Sequence, residues 1–159
     1  MGILSGLGPT WKQFDDLEPG DYLFEIAEPG DDGWLSEFED QDNPTATMTY
    51  VNWRLRVIKP EAFEGKLFFH RTMWDATPQK LAQAKRPYDP KGFTRQFIGA
   101  VAGVLVHGVV TILDEYLDKH GDPDPDAMIG LRFWGSLRLV PDKKDPSKSY
   151  VILTKAWQE

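Results

Sequence analysis

Cysteine is absent from this 159-residue chain. Its absence excludes disulfides, thiolate catalysis and cysteine-based zinc sites, and fits a reducing compartment. Histidine is also scarce: His70, His107 and His120 lie far apart and show no metal-ligand spacing. Positive charge is missing from a whole region, because Gln13 to Thr49 holds twelve acidic residues and no Lys or Arg. No long unbroken apolar run occurs. Gln96 to Leu113 lacks charged residues, but it contains Gln96, His107 and Gly99, Gly103 and Gly108. That composition predicts a buried helix breaking near Gly108, not a membrane span. Met1-Gly2-Ile3-Leu4-Ser5-Gly6 has neither the basic start nor the apolar core of a secretory signal. The expected location is therefore cytoplasmic, with no membrane contact.

What is present describes a folded domain. Apolar content of 41% and aromatic content of 13% exclude a disordered chain. The length suits one domain with a real core, covering 1–159. A net charge of -7 argues against a nucleic-acid partner until its distribution is read. Tyr50 to Val104 holds ten basic residues against four acidic ones, a local excess of six positive charges. A positive zone of that kind attracts phosphates; the alternative is a scattered surface on an ordinary acidic protein.

Two segments carry the functional reading. In Tyr50-Val51-Asn52-Trp53-Arg54-Leu55-Arg56-Val57, successive strand side chains point to opposite faces. Val51, Trp53, Leu55 and Val57 share an apolar face, and Tyr50, Asn52, Arg54 and Arg56 share the other. In Leu131 to Leu139, Leu131, Phe133, Leu137 and Leu139 oppose Arg132, Trp134, Ser136 and Arg138. Each strand thus pairs a core-building side with a side of guanidinium groups and aromatic rings. Rings stack bases of any sequence, and arginines hold phosphates or stack themselves. The expected ligand is single-stranded nucleic acid. Trp134 is the first stacking candidate, with packing under a helix or loop as its alternative. A solvated face is the alternative for Tyr50, Arg54 and Arg56.

The remaining elements follow from alternation and turn residues. Residues 1–18 read as an N-terminal arm, Asp21 to Glu28 as a first strand, and 29–46 as a long acidic loop. A second strand spans about Thr47 to Ile58 and a third about Lys66 to Trp74. The third offers two sets, Leu67, Phe69, Arg71 and Met73 or Phe68, His70, Thr72 and Trp74, and neither is cleanly apolar; Arg71 and Trp74 join the candidates. Residues 77–120 read as a helical connection. Thr77-Pro78 opens a short helix to about Lys85, and Asp89-Pro90 opens another. Phe93, Phe97, Val101, Val104 and Leu105 share one face of that second helix, with a further helical turn expected over Val109 to Lys119. Lys80, Lys85, Arg86, Lys91 and Arg95 make a basic cluster that either extends a phosphate track or is a solvated face. A fourth strand spans about Ile129 to Val140 and a fifth Ser149 to Trp157, where Lys155 and Trp157 share a face. Lys155 is the last binding candidate, and Trp157 closes the barrel in the other reading.

The fold expected from this order is mostly β with a helical insertion: a five-stranded OB-fold barrel with three strands, a helix and two strands. Its oligonucleotide surface would use the second and third strands and the loops after the first and fourth.

The chain resembles the phage single-stranded-DNA-binding proteins, a group long filed as a phage domain of unknown function. Carrying the resemblance are Pro19-Gly20-Asp21-Tyr22-Leu23-Phe24-Glu25-Ile26, Trp53-Arg54-Leu55-Arg56-Val57 and Phe63-Glu64-Gly65-Lys66-Leu67-Phe68. Phe97-Ile98-Gly99-Ala100-Val101-Ala102-Gly103 and Ile129-Gly130-Leu131-Arg132-Phe133 complete it. It implies an OB-fold protein that coats single strands in phage replication or recombination, in the host cytoplasm, beside phage or host replication proteins and as a possible homo-oligomer. Many proteins of this function end in an acidic tail, whereas this chain stops at Lys155-Ala156-Trp157-Gln158-Glu159. The acidic loop at 31–42 is the other place for that role.

Enzymatic readings find little support. Gly65-Lys66 lacks the upstream glycine spacing of a Walker loop, and no Gly-x-Ser-x-Gly elbow occurs. Asp122, Asp124 and Asp126 imitate the start of a calcium loop, but Ala127 and Phe133 stand where glycine and glutamate are required. No catalytic residue, metal or cofactor is expected. The competing function is a β-barrel interaction module, either a phage replisome or recombination adaptor or an inhibitor whose acidic loop mimics DNA.

Overall fold

The computed structural model describes residues 17–159, so the arm expected at 1–18 lies almost wholly outside the described residues. The fold is mostly β. Its strands are β1 (Gly20–Ile26), β2 (Leu35–Glu39), β3 (Thr47–Lys59), β4 (Leu67–Ala76), β5 (Val104–Val106), β6 (Val109–Thr111), β7 (Arg132–Pro141) and β8 (Ser149–Gln158). Two α-helices, α1 (Pro78–Leu81) and α2 (Lys91–Ala102), fall between β4 and β5. Six strands are hydrogen-bonded in the order β2-β3-β1-β7-β8, with β4 pairing β3, and β5 and β6 pair separately. The described strands form an open antiparallel sheet and no closed barrel.

Two compact units divide the chain. The first holds residues up to Ala27, Arg54–His70 and Gly130–Glu159; the second holds Glu28–Trp53 and Arg71–Ile129. In the first unit, β1 lies between the second half of β3 and β7, and β8 continues the sheet. Tyr22, Phe24, Ile26, Leu55, Val57, Phe68, Phe133 and Leu137 are all buried there. The Phe24 ring packs 5.7 Å from Phe133 and 6.2 Å from Phe68. Gly135 sits against Phe24 because no side chain fits: a Cβ would lie 2.6 Å from Leu153 Cδ1 and 3.0 Å from Phe24 Cε2.

In the second unit, β2 pairs the first half of β3. Trp53 is fully buried, 5.0 Å from the Phe97 ring of α2 and 5.6 Å from Trp34. Its indole donates to Thr72 Oγ1 at 2.8 Å, and Thr94 Oγ1 lies 2.7 Å from Thr72 Oγ1. Thr94 donates to the Met73 carbonyl at 2.7 Å. A hydroxyl has one proton, so Thr94 spends its own on Met73 and Thr72 must donate to Thr94. Every member of this buried chain is satisfied.

Alternation along β3 holds as expected: Val51, Trp53, Leu55 and Val57 are buried, and Tyr50, Asn52, Arg54 and Arg56 are not. Other expectations are corrected. The segment 29–46 is not all loop, because Leu35–Glu39 forms β2 on the edge of β3. The first strand ends at Ile26, two residues early. The helix from Thr77 lasts only to Leu81, although Thr77 caps it by accepting from the Lys80 amide. The second helix stops at Ala102, and neither Val104–Leu105 nor Val109–Lys119 is α-helical. Residues 104–111 are instead a hairpin turned by His107 and Gly108, both at positive φ, followed by a single 3-10 turn at Asp114–Tyr116. Valine-rich strands flanking a glycine favour the extended form locally, which the apolar periodicity of the segment conceals. Among the described residues, no helix is long and apolar enough to cross a membrane.

Candidate nucleic-acid interface

In the second unit, β2, β3 and β4 bring three side chains together. Ser36 lies opposite Tyr50 and Phe38 opposite Met48, so all four share one face with Asn52. The Phe38 and Tyr50 rings meet edge to face, 5.6 Å apart at 72°. Arg71 enters from β4, with its guanidinium carbon 4.9 Å from the Phe38 ring centre and 5.4 Å from that of Tyr50. Ser36 donates to the Asn52 amide oxygen at 3.2 Å, so hydrogen-bonding groups continue along the face. Burial raises the Tyr50 phenol above its ordinary range, and the nearby Arg71 charge partly offsets this. Burial likewise lowers the Arg71 guanidinium, opposed by Tyr50. Arg71 is thus a partly desolvated cation against two half-buried rings, an arrangement worth about 0.5–2 kcal/mol.

The two sets of β4 are now separated. Phe68 and Thr72 are buried, so Arg71 faces Tyr50 while Trp74 belongs with the core-facing set. Trp74 does not join the Arg71 cluster; Lys91 Nζ lies 5.0 Å above its ring. Phe38 is the residue that the sequence reading missed. Trp34, Ser36 and Phe38 do alternate with Leu35, Glu37 and Glu39, but the acidic surroundings disguise a short edge strand as a loop.

In the first unit, two predicted arginines are engaged by acids. Register aligns Arg56 with Glu25, and Glu25 with Arg132. Arg56 is 3.3 Å from Glu25, and Arg132 Nε is 3.8 Å from Glu159. The row therefore alternates in sign across β3, β1 and β7 and ends at Glu159, just past β8. Arg56 and Arg132 are less available than one strand alone implied, because Glu25 on β1 and Glu159 just past β8 stand beside them. Among the described residues, Arg54 Nε and Arg132 Nε are buried with no hydrogen-bond partner.

Two residues along the same strands, Trp134 lies opposite Trp157 on β8 and opposite Leu23 on β1. Ser136 lies opposite Lys155. Trp134 is half-buried and Trp157 exposed, so of this cross-strand pair Trp157 offers more ring to solvent. A bulge follows at Ser136/Leu137, and Ser136 is buried, so the expected continuous polar face is interrupted there. Beyond it Arg138, opposite Ile152, is exposed, as is Lys155.

The basic cluster around the helices is partly spent. Lys80 pairs with Asp40 at 3.5 Å and Arg95 with Asp122 at 3.3 Å, while Lys85 and Arg86 are exposed. The aspartates of the 118–126 loop serve the fold. Asp118 accepts from the His120 and Asp122 amides, Asp124 from the Asp126 amide, and Asp126 from the Trp34 indole at 2.7 Å. Among the described residues, no group of three or more His, Cys, Asp or Glu is placed to hold a metal ion.

The geometry defines a β-rich domain with an aromatic and cationic strand surface. Comparison with family models gives no match, and comparison with curated proteins gives none either.

Proposed function

We propose that this protein binds single-stranded DNA without strong sequence preference, on the face of β2, β3 and β4 that carries Phe38, Tyr50 and Arg71. The observation that carries the reading is the Arg71 guanidinium seated on two aromatic rings. Exchange of Arg71 for a base would leave a ring free to stack, and the released guanidinium would reach a phosphate. Strands, helices and strands in this order fit an OB-type architecture, whose binding surface uses the corresponding strands and first loop. On this view β2 is an elaboration of that loop. With the resemblance to phage single-stranded-DNA-binding proteins, the proposed setting is strand coating in phage replication or recombination.

The test is a titration of dye-labelled oligothymidylate followed by anisotropy at several salt concentrations. Tyr50→Ala or Phe38→Ala should each weaken binding roughly 5- to 100-fold, the worth of one stacked base. Arg71→Ala should also flatten the dependence of affinity on salt. Wild-type binding untouched by all three changes would move the site elsewhere. No binding at low salt would dismiss the function and favour the interaction module, a reading that the exposed apolar hairpin of β5 and β6 supports.

A further inference from the structure

The β5–β6 hairpin is exposed along its whole length. Val104, Leu105, Val106, Val109 and Val110 are 38%, 73%, 45%, 64% and 59% exposed. It is nevertheless a fixed element. At its base, a Cβ on Gly103 would come 2.8 Å from Val110 Cγ1, and one on Gly99 3.0 Å, so two glycines of α2 and its cap admit the ribbon. At its tip, His107 and Gly108 take φ of 52° and 78°, the geometry of a tight two-residue hairpin turn. Among the described residues its strands pair only with each other, leaving both outer edges without a sheet partner. Exposed edges are usually guarded by lysine, proline or an inward-pointing charge. None stands here, since no charged residue or proline occurs between Gln96 and Leu113.

We propose that a second copy of this chain covers the ribbon, the two hairpins pairing edge to edge about a twofold axis. The occupant has to supply both an uncharged apolar surface and a free strand edge. Nucleic acid supplies neither, and its phosphates meet no cation on this element. A lipid phase would strand the unpaired backbone groups of the edges in hydrocarbon, at several kcal/mol each. A second hairpin meets both requirements, and like-to-like pairing is what a twofold interface demands. The size suits a weak, concentration-dependent contact: the ribbon exposes on the order of 500 Å² of apolar surface, so two copies bury at most about 1,000 Å², the lower bound for a specific interface. Charge selects the same contact. Two copies at -7 each repel over most of their surface, and the uncharged ribbon is where that repulsion is smallest. This pairing does not depend on the DNA-binding reading.

Sedimentation of the full chain across a wide concentration range tests it. The mass should rise with concentration from one copy towards two. Leu105→Lys with Val109→Lys should hold the protein at one copy throughout, with a thermal melt that does not depend on concentration and matches that of the wild type diluted to one copy, because both side chains are exposed. The lack of native cysteine allows a second measurement on the same fold. Single cysteines placed in turn at Val104, Leu105, Val106, Val109 and Val110 should yield an oxidised dimer for those nearest the axis, and none for an exposed control such as Lys85→Cys. A mass of one copy at every concentration would overturn the proposal. So would a dimer that persists in the double-lysine variant, or cross-linking no better on the hairpin than at the control.

Discussion

At the scale of single residues, the Trp53–Thr72–Thr94–Met73 chain shows how a buried polar set can specify a core. Its donors and acceptors are matched one to one, so removing any hydroxyl orphans a neighbour. Thr72→Val leaves the Trp53 indole N–H without an acceptor, and Thr94→Val leaves the Thr72 proton without one and removes the bond to the Met73 carbonyl. Each should cost about 1–3 kcal/mol in denaturant unfolding. The double variant should cost less than the two together, because the hydrogen bond they share is lost once. Additive costs would show that the two hydroxyls act separately. Tyr50 allows a titration. Burial raises its phenol, as it does that of Tyr22, so the folded state holds these protons more tightly than the unfolded state. That contribution to stability is complete below the ordinary phenol value of about 10 and is lost as pH rises through the folded values. Phenolate absorbance should show a late-titrating component that shrinks in Tyr50→Phe. A late component unchanged in Tyr50→Phe would mean that Tyr50 is better solvated than its ring contacts imply.

At the scale of elements, pairing decides which predicted side chains are available. The β3 pattern assigned its buried and outward faces correctly, because alternation is a property of one strand. Whether an outward arginine is free depends on the neighbouring strand. Arg56 and Arg132 were indistinguishable from Arg138 by pattern, yet Glu25 and Glu159 engage the first two and Arg138 is exposed. For the same reason β4 read ambiguously, and only its contacts with Phe38 and Tyr50 on one side and Trp53 on the other assign Arg71 and Thr72 to faces. Gly135 is a further case in which a neighbour sets the rule. Gly135→Ala would drive a methyl into Leu153 and Phe24, and should lower stability by about 1–3 kcal/mol through overpacking. An unchanged melting temperature would mean that Leu153 has another rotamer open to it.

At the scale of the whole molecule, charge and topology were legible to different degrees. The regional charge is written directly in the sequence: a formal net charge of -7 coexists with a local excess of positive charge from Tyr50 to Val104, a stretch that includes Arg71. Element order was legible where long apolar alternation or a helix cap marked it: β1, β3, β7, β8 and the start of α2. It failed where a segment's form depends on an external partner. β2 is a strand because β3 gives its backbone an edge to pair with, and β5–β6 is a hairpin because Gly99 and Gly103 let it lie against α2. By itself, then, the sequence determined the mostly β character, the two faces of β3, the absence of thiol chemistry and the position of the positive zone. Each of these rests on residue type or on spacing along one stretch of chain. Tertiary structure alone decided that the described sheet is open, which arginines are engaged by acids, that Phe38 joins Tyr50 and Arg71, and that an apolar ribbon stands exposed. Those outcomes depend on residues distant in the chain meeting across strands, and spacing along the chain carries no record of such meetings.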